Sequence, residues 1–132
     1  MKYMLDTNIC IYAIKKNPSK VYEKIRTHST SEICISSITY AELMHGVEKS
    51  AYPVRNRFAL SLFLAGITVL DFNIPAADKY GLIRTELEKK GTPIGPLDSM
   101  IAGHALSESC ILVTNNEREF RRIDGLSIEN WA

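Results

Sequence analysis

The sequence predicts an α/β protein, built as a three-layer α/β/α sandwich around a mostly parallel sheet of four or five strands. Short apolar runs alternate with helical segments along the whole chain, which is the pattern of parallel strands joined by crossover helices. The runs are continuously apolar, as expected of strands that are covered on both faces. No linker or repeat divides the chain, so we expect residues 1–132 to form a single domain.

The predicted strands are apolar runs that stop at polar residues. The first run, Tyr3-Met4-Leu5, ends at Asp6, and a helical periodicity begins directly after it. Three further runs and a less regular tail complete the predicted sheet: residues 33–35, 67–70, 110–113 and 126–131. A residue at the carboxyl end of a parallel strand faces the crevice where ligands bind. Asp6 is therefore the first candidate for a functional residue.

Seven segments between the strands carry helical periodicity or helix start and stop signals. They are residues 8–16, 19–26, 39–49, 55–64, 75–89, 97–106 and 116–122. The helix over residues 75–89 is followed by Gly91, the residue type expected just after a helix end. The helix over residues 55–64 is apolar almost all round and is expected to pack against something, in the core or in a partner. Residues 91–96 are too rich in Gly and Pro to be regular.

Composition places the chain among soluble globular proteins, with 45% hydrophobic and 23% charged residues. The net charge of +1 lacks the basic excess of most nucleic-acid-binding domains, so contact with nucleic acid would need local cations or a metal ion. The three cysteines, Cys10, Cys34 and Cys110, are expected to be buried free thiols. No apolar run approaches the ~20 residues of a membrane span, and the start does not resemble a signal peptide. We therefore expect a cytoplasmic protein with no membrane association.

Three acids stand out by their context. Asp6 follows the first strand, Glu42 lies in the helix after the second strand, and Asp98 opens the helix after the Gly/Pro segment. All three can converge at one edge of the sheet. Clustered carboxylates raise one another's pKa unless a cation intervenes, and such hard oxygen ligands favour Mg²⁺ or Mn²⁺. This donor set fits phosphoryl chemistry, in which a metal offsets phosphate charge and activates water. An N-cap role for Asp98 and a solvated helix face for Glu42 stay open as structural alternatives.

Two other phosphate-handling α/β sites are excluded by individual residues. A phosphotransfer site of the haloacid dehalogenase type needs a second Asp two residues after the first, and Asn8 occupies that position. A receiver domain needs an acid pair after the first strand and a Lys after a later strand, and neither is evident. Asp71 is then better explained as a strand-end residue. Residues 91–95 also lack the pattern of a phosphate-binding loop.

Four motifs together resemble a known family. They are Met4-Leu5-Asp6-Thr7-Asn8, Ser36-Ser37-Ile38-Thr39-Tyr40-Ala41-Glu42-Leu43, Pro96-Leu97-Asp98 and Leu112-Val113-Thr114-Asn115-Asn116. In this order and spacing they resemble PIN-domain ribonucleases, specifically the VapC toxins of bacterial type II toxin–antitoxin pairs. The resemblance extends to Glu129-Asn130-Trp131 and so covers essentially the whole chain. It implies the PIN-like sandwich and a Mg²⁺-dependent endoribonuclease, with Mn²⁺ as an alternative ion.

The resemblance implies that Asp6, Glu42 and Asp98 are the acidic catalytic residues, and that Asp6 and Asp98 contact the metal directly. Many members of the family have a fourth acid two residues after the Thr that ends the fourth strand, where this chain has Asn116. Glu119 is a candidate for the missing carboxylate, and the alternative is a solvent-facing partner of a nearby arginine. The polar residues expected to surround and orient the carboxylates are Thr7, Asn8, Ser37, Thr114 and Asn116.

The resemblance also implies a substrate and partners. The expected reaction is hydrolysis of an RNA phosphodiester to 5′-phosphate and 3′-hydroxyl ends. Similar chains from enteric bacteria cleave initiator tRNA in the anticodon stem-loop, which inhibits translation.

The family implies a homodimer, a neutralising VapB-type antitoxin, and a toxin–antitoxin complex that binds operator DNA through the antitoxin. Residues 55–64 are a candidate contact surface. Candidate RNA contacts are Lys15, Lys16, Arg84, Lys89, Lys90, Arg118, Arg121 and Arg122.

Two alternatives stay open on the sequence. One is a PIN-like nuclease that acts on DNA or on maturing RNA. The other is a catalytically weak domain that mainly binds a partner protein, because Asn116 replaces the usual fourth acid.

Overall fold

Five parallel strands form the middle layer of the fold. The computed structural model describes residues 2–132. The strands are β1 (Tyr3–Leu5), β2 (Ile33–Ser36), β3 (Thr68–Leu70), β4 (Ile111–Val113) and β5 (Ile128–Glu129). The helices are α1 (Thr7–Lys15), α2 (Ser19–Arg26), α3 (Ser37–Glu48), α4 (Pro53–Leu64), α5 (Ile74–Lys89), α6 (Pro96–Ser107) and α7 (Glu117–Phe120). This is the predicted α/β architecture, and every strand pairing in it is parallel.

The strand order is β3-β2-β1-β4-β5, and its direction of growth reverses between β1 and β4. At such a reversal the connections leave the sheet in opposite directions, which opens a crevice at the carboxyl ends of the two strands. Leu5 pairs with Val113 in register, and the backbone N–H of Asp6 donates to the carbonyl of Val113 at 3.0 Å. The next residues, Asp6 and Thr114, therefore lie at the mouth of this crevice.

Side chains alternate between two hydrophobic cores, one on each face of the sheet. On β1, Leu5 packs among residues of α1 to α4, whereas Met4 packs among residues of α5, α6 and α7. On β2, Ile35 and Cys34 divide in the same way. Both faces are covered, which explains why the strands read as continuous apolar runs.

Helix boundaries differ from the predicted ones where a cap decides the position. Helix α3 begins at Ser37 and not at residue 39, because the hydroxyl of Ser36 accepts the backbone N–H of Ile38 at 3.1 Å and acts as the N-cap. Helix α5 ends as predicted before Gly91, whose φ is +72°. The N–H of Thr92 donates to the carbonyl of Leu87 at 2.9 Å, which is a Schellman closure.

Helix α4 packs on one side only. Leu60 is buried in the core, but Val54, Phe58 and Leu62 are between 63% and 77% exposed. The packing that its apolar sequence predicts is therefore incomplete within this chain. Elsewhere, all three cysteines are free and buried, as expected. Among residues 2–132 no helix is both long and apolar enough to cross a membrane.

Helices α5 and α6 approach each other closely at Gly103. A Cβ atom at this position would lie 2.7 Å from the backbone nitrogen of Tyr80 and 3.0 Å from its Cα atom. Both atoms belong to a helix backbone, so a side chain at residue 103 would force the two helices apart. This contact sets how closely α6 lies against α5. It therefore also affects the position of Asp98, which lies in the first turn of α6.

We predict that Gly103→Ala lowers the free energy of unfolding by about 2 kcal/mol, because the overlap outweighs the gain in helix propensity. Gly81→Ala is the matched control on α5, since no atom lies within 4 Å of its added Cβ. That variant should be stabilised by up to about 1 kcal/mol. Urea unfolding of both proteins measures the difference, and equal stability of the two variants would contradict the close approach.

Candidate active site

Asp6 lies at the switch point between β1 and β4 and is only 5% exposed. It is the N-cap of α1, and its Oδ1 atom accepts the backbone N–H of Ile9 at 2.9 Å. Burial raises its pKa above the ordinary value, although the hydroxyl of Thr114 and the N–H groups of Ile9 and Asn8 favour the charged form. The charge of Glu42 raises the pKa further. Asp6 is thus a desolvated carboxylate with a fixed orientation.

Thr114 is the residue that orients Asp6 from the neighbouring strand. It is completely buried directly after β4, and its hydroxyl is a hydrogen-bond partner of the Asp6 carboxylate. Its oxygen also accepts the backbone N–H of Asn116 at 2.9 Å. One hydroxyl therefore connects the end of β1 with the turn that leads into α7.

Glu42 is held by a hydroxyl group of the neighbouring helix α1. The Thr7 hydroxyl donates to Oε1 of Glu42 at 2.6 Å, and it lies 3.5 Å from the hydroxyl of Thr39. Thr39 is completely buried and was not among the predicted site residues. Its position three residues before Glu42 places both side chains on one face of α3, and this spacing was the available signal.

Asp98 faces the other carboxylates from the first turn of α6. Burial raises its pKa to about 6, and three negative charges add to the shift: Asp6, Glu42 and Glu119. All four predicted acids therefore lie within electrostatic reach of one point. Asn116 occupies the N-cap position of α7 without a side-chain capping hydrogen bond, and Glu119 lies within the same helix. Helix α7 brings the Glu119 charge close enough to raise the pKa of Asp98.

The carboxylates converge without forming a closed cage. Among residues 2–132, no three Asp, Glu, His or Cys side chains lie close enough together to hold one ion between them. Mg²⁺ is commonly bound through one or two carboxylates and keeps several waters, so an open arrangement with exclusively oxygen donors suits this ion. A cation would also relieve the repulsion that, together with burial, raises the pKa of Asp98.

The remaining polar candidates contact the backbone. The Ser37 hydroxyl accepts the N–H of Phe72 at 3.0 Å, which ties the start of α3 to the chain after β3. Asn8 is exposed and contributes its backbone N–H to Asp6.

Several of the basic residues proposed to contact RNA already have partners within the chain. These pairs are Lys90 with Asp124, Arg121 with Glu117, Arg84 with Tyr80 and Glu88, Arg122 with the Pro93 carbonyl, and Lys16 with the Tyr22 ring. Lys15 instead lines a groove of about 300 Å³ between α1, α3 and α4 that also includes Glu42. The Lys15 cation therefore lies in the same groove as Glu42, one of the candidate catalytic residues.

Comparison with known proteins identifies the family of this chain. The model of the family described as "PIN domain" matches residues 3–126. The chain is 51% identical to the "tRNA(fMet)-specific endonuclease VapC" of Salmonella typhimurium, covering 100% of this chain and 99% of that protein. It is 48% identical to "Ribonuclease VapC2" of Rickettsia felis, with 99% and 98% covered.

Solved structures give the same assignment. The fold superposes on a chain in the crystal structure of VapBC2 from Rickettsia felis bound to a promoter DNA fragment, with a TM-score of 0.94, 46% identity and complete coverage of both chains. A chain in DNA-bound VapBC from Salmonella typhimurium also has a TM-score of 0.94, at 51% identity, with 100% and 99% covered. The chain therefore belongs to the PIN-domain family and, within it, to the VapC ribonucleases.

Proposed function

We propose that this chain is the toxin of a type II toxin–antitoxin pair and a metal-dependent endoribonuclease that cleaves initiator tRNA in the anticodon stem-loop. The observation that carries the proposal is the convergence of Asp6, Glu42, Asp98 and Glu119 at the switch point of the sheet. The named activity of the Salmonella relative, which is 51% identical, supports the substrate. On this proposal residues 1–132 act as one cytoplasmic catalytic domain.

Different residues of the chain would bind the metal ion, accept a proton and orient a carboxylate at the scissile phosphate. Asp6 and Asp98 would hold Mg²⁺, or Mn²⁺ in its place, which when bound supplies Lewis-acid activation of water and of the phosphodiester. Glu42, which accepts a hydrogen bond from Thr7, would accept a proton from the attacking water. Thr114 keeps the Asp6 carboxylate oriented. Cleavage would leave 5′-phosphate and 3′-hydroxyl ends.

The partners follow from the relatives. We propose a VapB-type antitoxin, because the similar chains from Rickettsia and Salmonella were solved as VapBC complexes on DNA. The antitoxin would neutralise the toxin and connect the complex with operator DNA. The exposed apolar side of α4 supports a protein contact at that helix, either between two toxin copies or with the antitoxin.

Purified protein incubated with Mg²⁺ and total RNA tests the proposal. We expect one discrete loss, that of initiator tRNA, and no cleavage in EDTA. Asp6→Asn should reduce the rate at least about a hundredfold, while the fold persists because Asn is also a good N-cap. Asp124→Asn, at an exposed ion pair, is the control. Cleavage of other nucleic acid would favour a different nuclease, and no metal-dependent cleavage would leave a partner-binding domain.

Glu119 is predicted to supply the fourth carboxylate. Glu119→Gln should lower the cleavage rate about tenfold to a hundredfold, because a charge close to Asp98 is lost. Glu117→Gln is the matched control on the same short helix, since that carboxylate pairs with Arg121 at 2.8 Å and accepts from Asn130 at 3.0 Å. Comparable activity of the two variants would assign Glu119 to the solvated surface.

Burial and like charge at Asp98 predict a pH-dependent gain in stability when this residue is neutralised. The folded protein raises the pKa of Asp98 from 3.8 to about 6, so its ionisation destabilises the fold progressively between those values and fully above them. Without metal, Asp98→Asn should therefore raise Tm at pH 7.5 by roughly 3–5 °C. This figure assumes about 1 kcal/mol after allowance for solvent screening. The gain should vanish near pH 4, and a gain of equal size at both pH values would contradict the charge argument.

A further inference from the structure

One completely buried histidine lies outside the group of carboxylates. His104 is completely buried in α6, and its Nδ1 atom lies 2.8 Å from the hydroxyl oxygen of Ser36. Its Nε2 atom is buried with no hydrogen-bond partner among residues 2–132, and the ring meets Phe72 edge-on at 5.6 Å. An apolar ring would fill this space without an unpaired nitrogen. What the imidazole adds is the hydrogen bond to Ser36.

That hydrogen bond joins the two helices that carry candidate catalytic acids. Ser36 ends β2 and caps α3, which carries Glu42 six residues later. His104 lies six residues after Asp98 on α6. Within residues 2–132, this is the only side-chain hydrogen bond between α6 and the segment formed by Ser36 and α3. The bond therefore fixes α6 relative to α3 below the carboxylates.

Asp98 depends on the placement of its helix more than Asp6 and Glu42 do. Asp6 is fixed by Ile9 and Thr114, and Glu42 by Thr7. The Asp98 side chain has no hydrogen-bond partner within residues 2–132 that would orient it. Its position follows from how α6 is held, on one side by the contact of Gly103 with α5 and on the other by His104.

We propose that His104 is a positioning residue for this nuclease, acting through Ser36 to set the separation of Asp98 from Asp6 and Glu42. The inference rests on the proposed function. It goes beyond that function by assigning a role in metal binding to a residue that touches neither ion nor substrate. A shift of helix α6 by a fraction of an ångström would lower the affinity for the ion, while the fold stays intact.

Two substitutions separate positioning from simple packing. His104→Phe keeps an aromatic ring and removes both the hydrogen bond and the unpaired nitrogen, so we expect an unchanged or higher Tm. We nevertheless expect Mn²⁺ affinity to fall about tenfold and kcat to fall with little change in KM. His104→Asn places an amide near the original Nδ1 position, where it can pair with Ser36. We expect it to lower Tm, because of the volume lost, yet to bind Mn²⁺ within about threefold of the wild type.

The opposite order of stability and Mn²⁺ affinity in these two variants is the decisive result, because a merely structural histidine would make them fall together. Wild-type Mn²⁺ affinity and kcat in folded His104→Phe protein would overturn the inference and leave the proposed function in place. If His104→Phe fails to fold, His104→Leu removes the same bond with a smaller apolar side chain, leaves the Ser36 cap of α3 in place, and must show the same loss of Mn²⁺ affinity. A wild-type protein that bound no Mn²⁺ and cut no RNA would overturn the proposed function and this inference with it.

Discussion

The mutual repulsion of carboxylates at the edge of a parallel sheet is the constraint around which this molecule is organised. Folding brings Asp6, Asp98 and their acidic neighbours together although burial and like charge both raise the pKa of Asp6 and Asp98. Such unfavourable ionisation is typical of functional sites, where burial and like-charge neighbours shift pKa values. The cost is understandable if a cation completes the site, because the ion converts the repulsion into attraction.

The fold positions the acids in two ways, through the strands and through the helices. The strands fix Asp6, which lies beside Thr114 because β1 and β4 pair in register. The helices fix the other acids less directly, through the Thr7 contact to Glu42 and through the packing of α6. The position of Asp6 therefore follows from strand pairing, whereas the positions of the other acids follow from how their helices are held.

The sequence predicted most of the fold because its signals were local. The apolar runs and the helical periodicity between them set the element order, Gly91 marked one helix end, and the carboxyl ends of the strands located the site. Signals that depend on distant contacts were missed. The hydrogen bond between His104 and Ser36 joins residues 68 positions apart, and no periodicity in the sequence predicts it. The exposed side of α4 was likewise unpredictable, because an apolar helix gives the same pattern in a core and at an interface.

Isothermal titration of metal-free protein with Mn²⁺, in buffers of different ionisation enthalpy, tests the central claim most directly. If burial and repulsion among the carboxylates raise the pKa of Asp98 to about 6 and the ion favours the charged form, binding at pH 6 should release about half a proton. At pH 8, where the carboxyl is already ionised, almost none should be released. Absence of Mn²⁺ binding, or binding at pH 6 without proton release, would contradict the account.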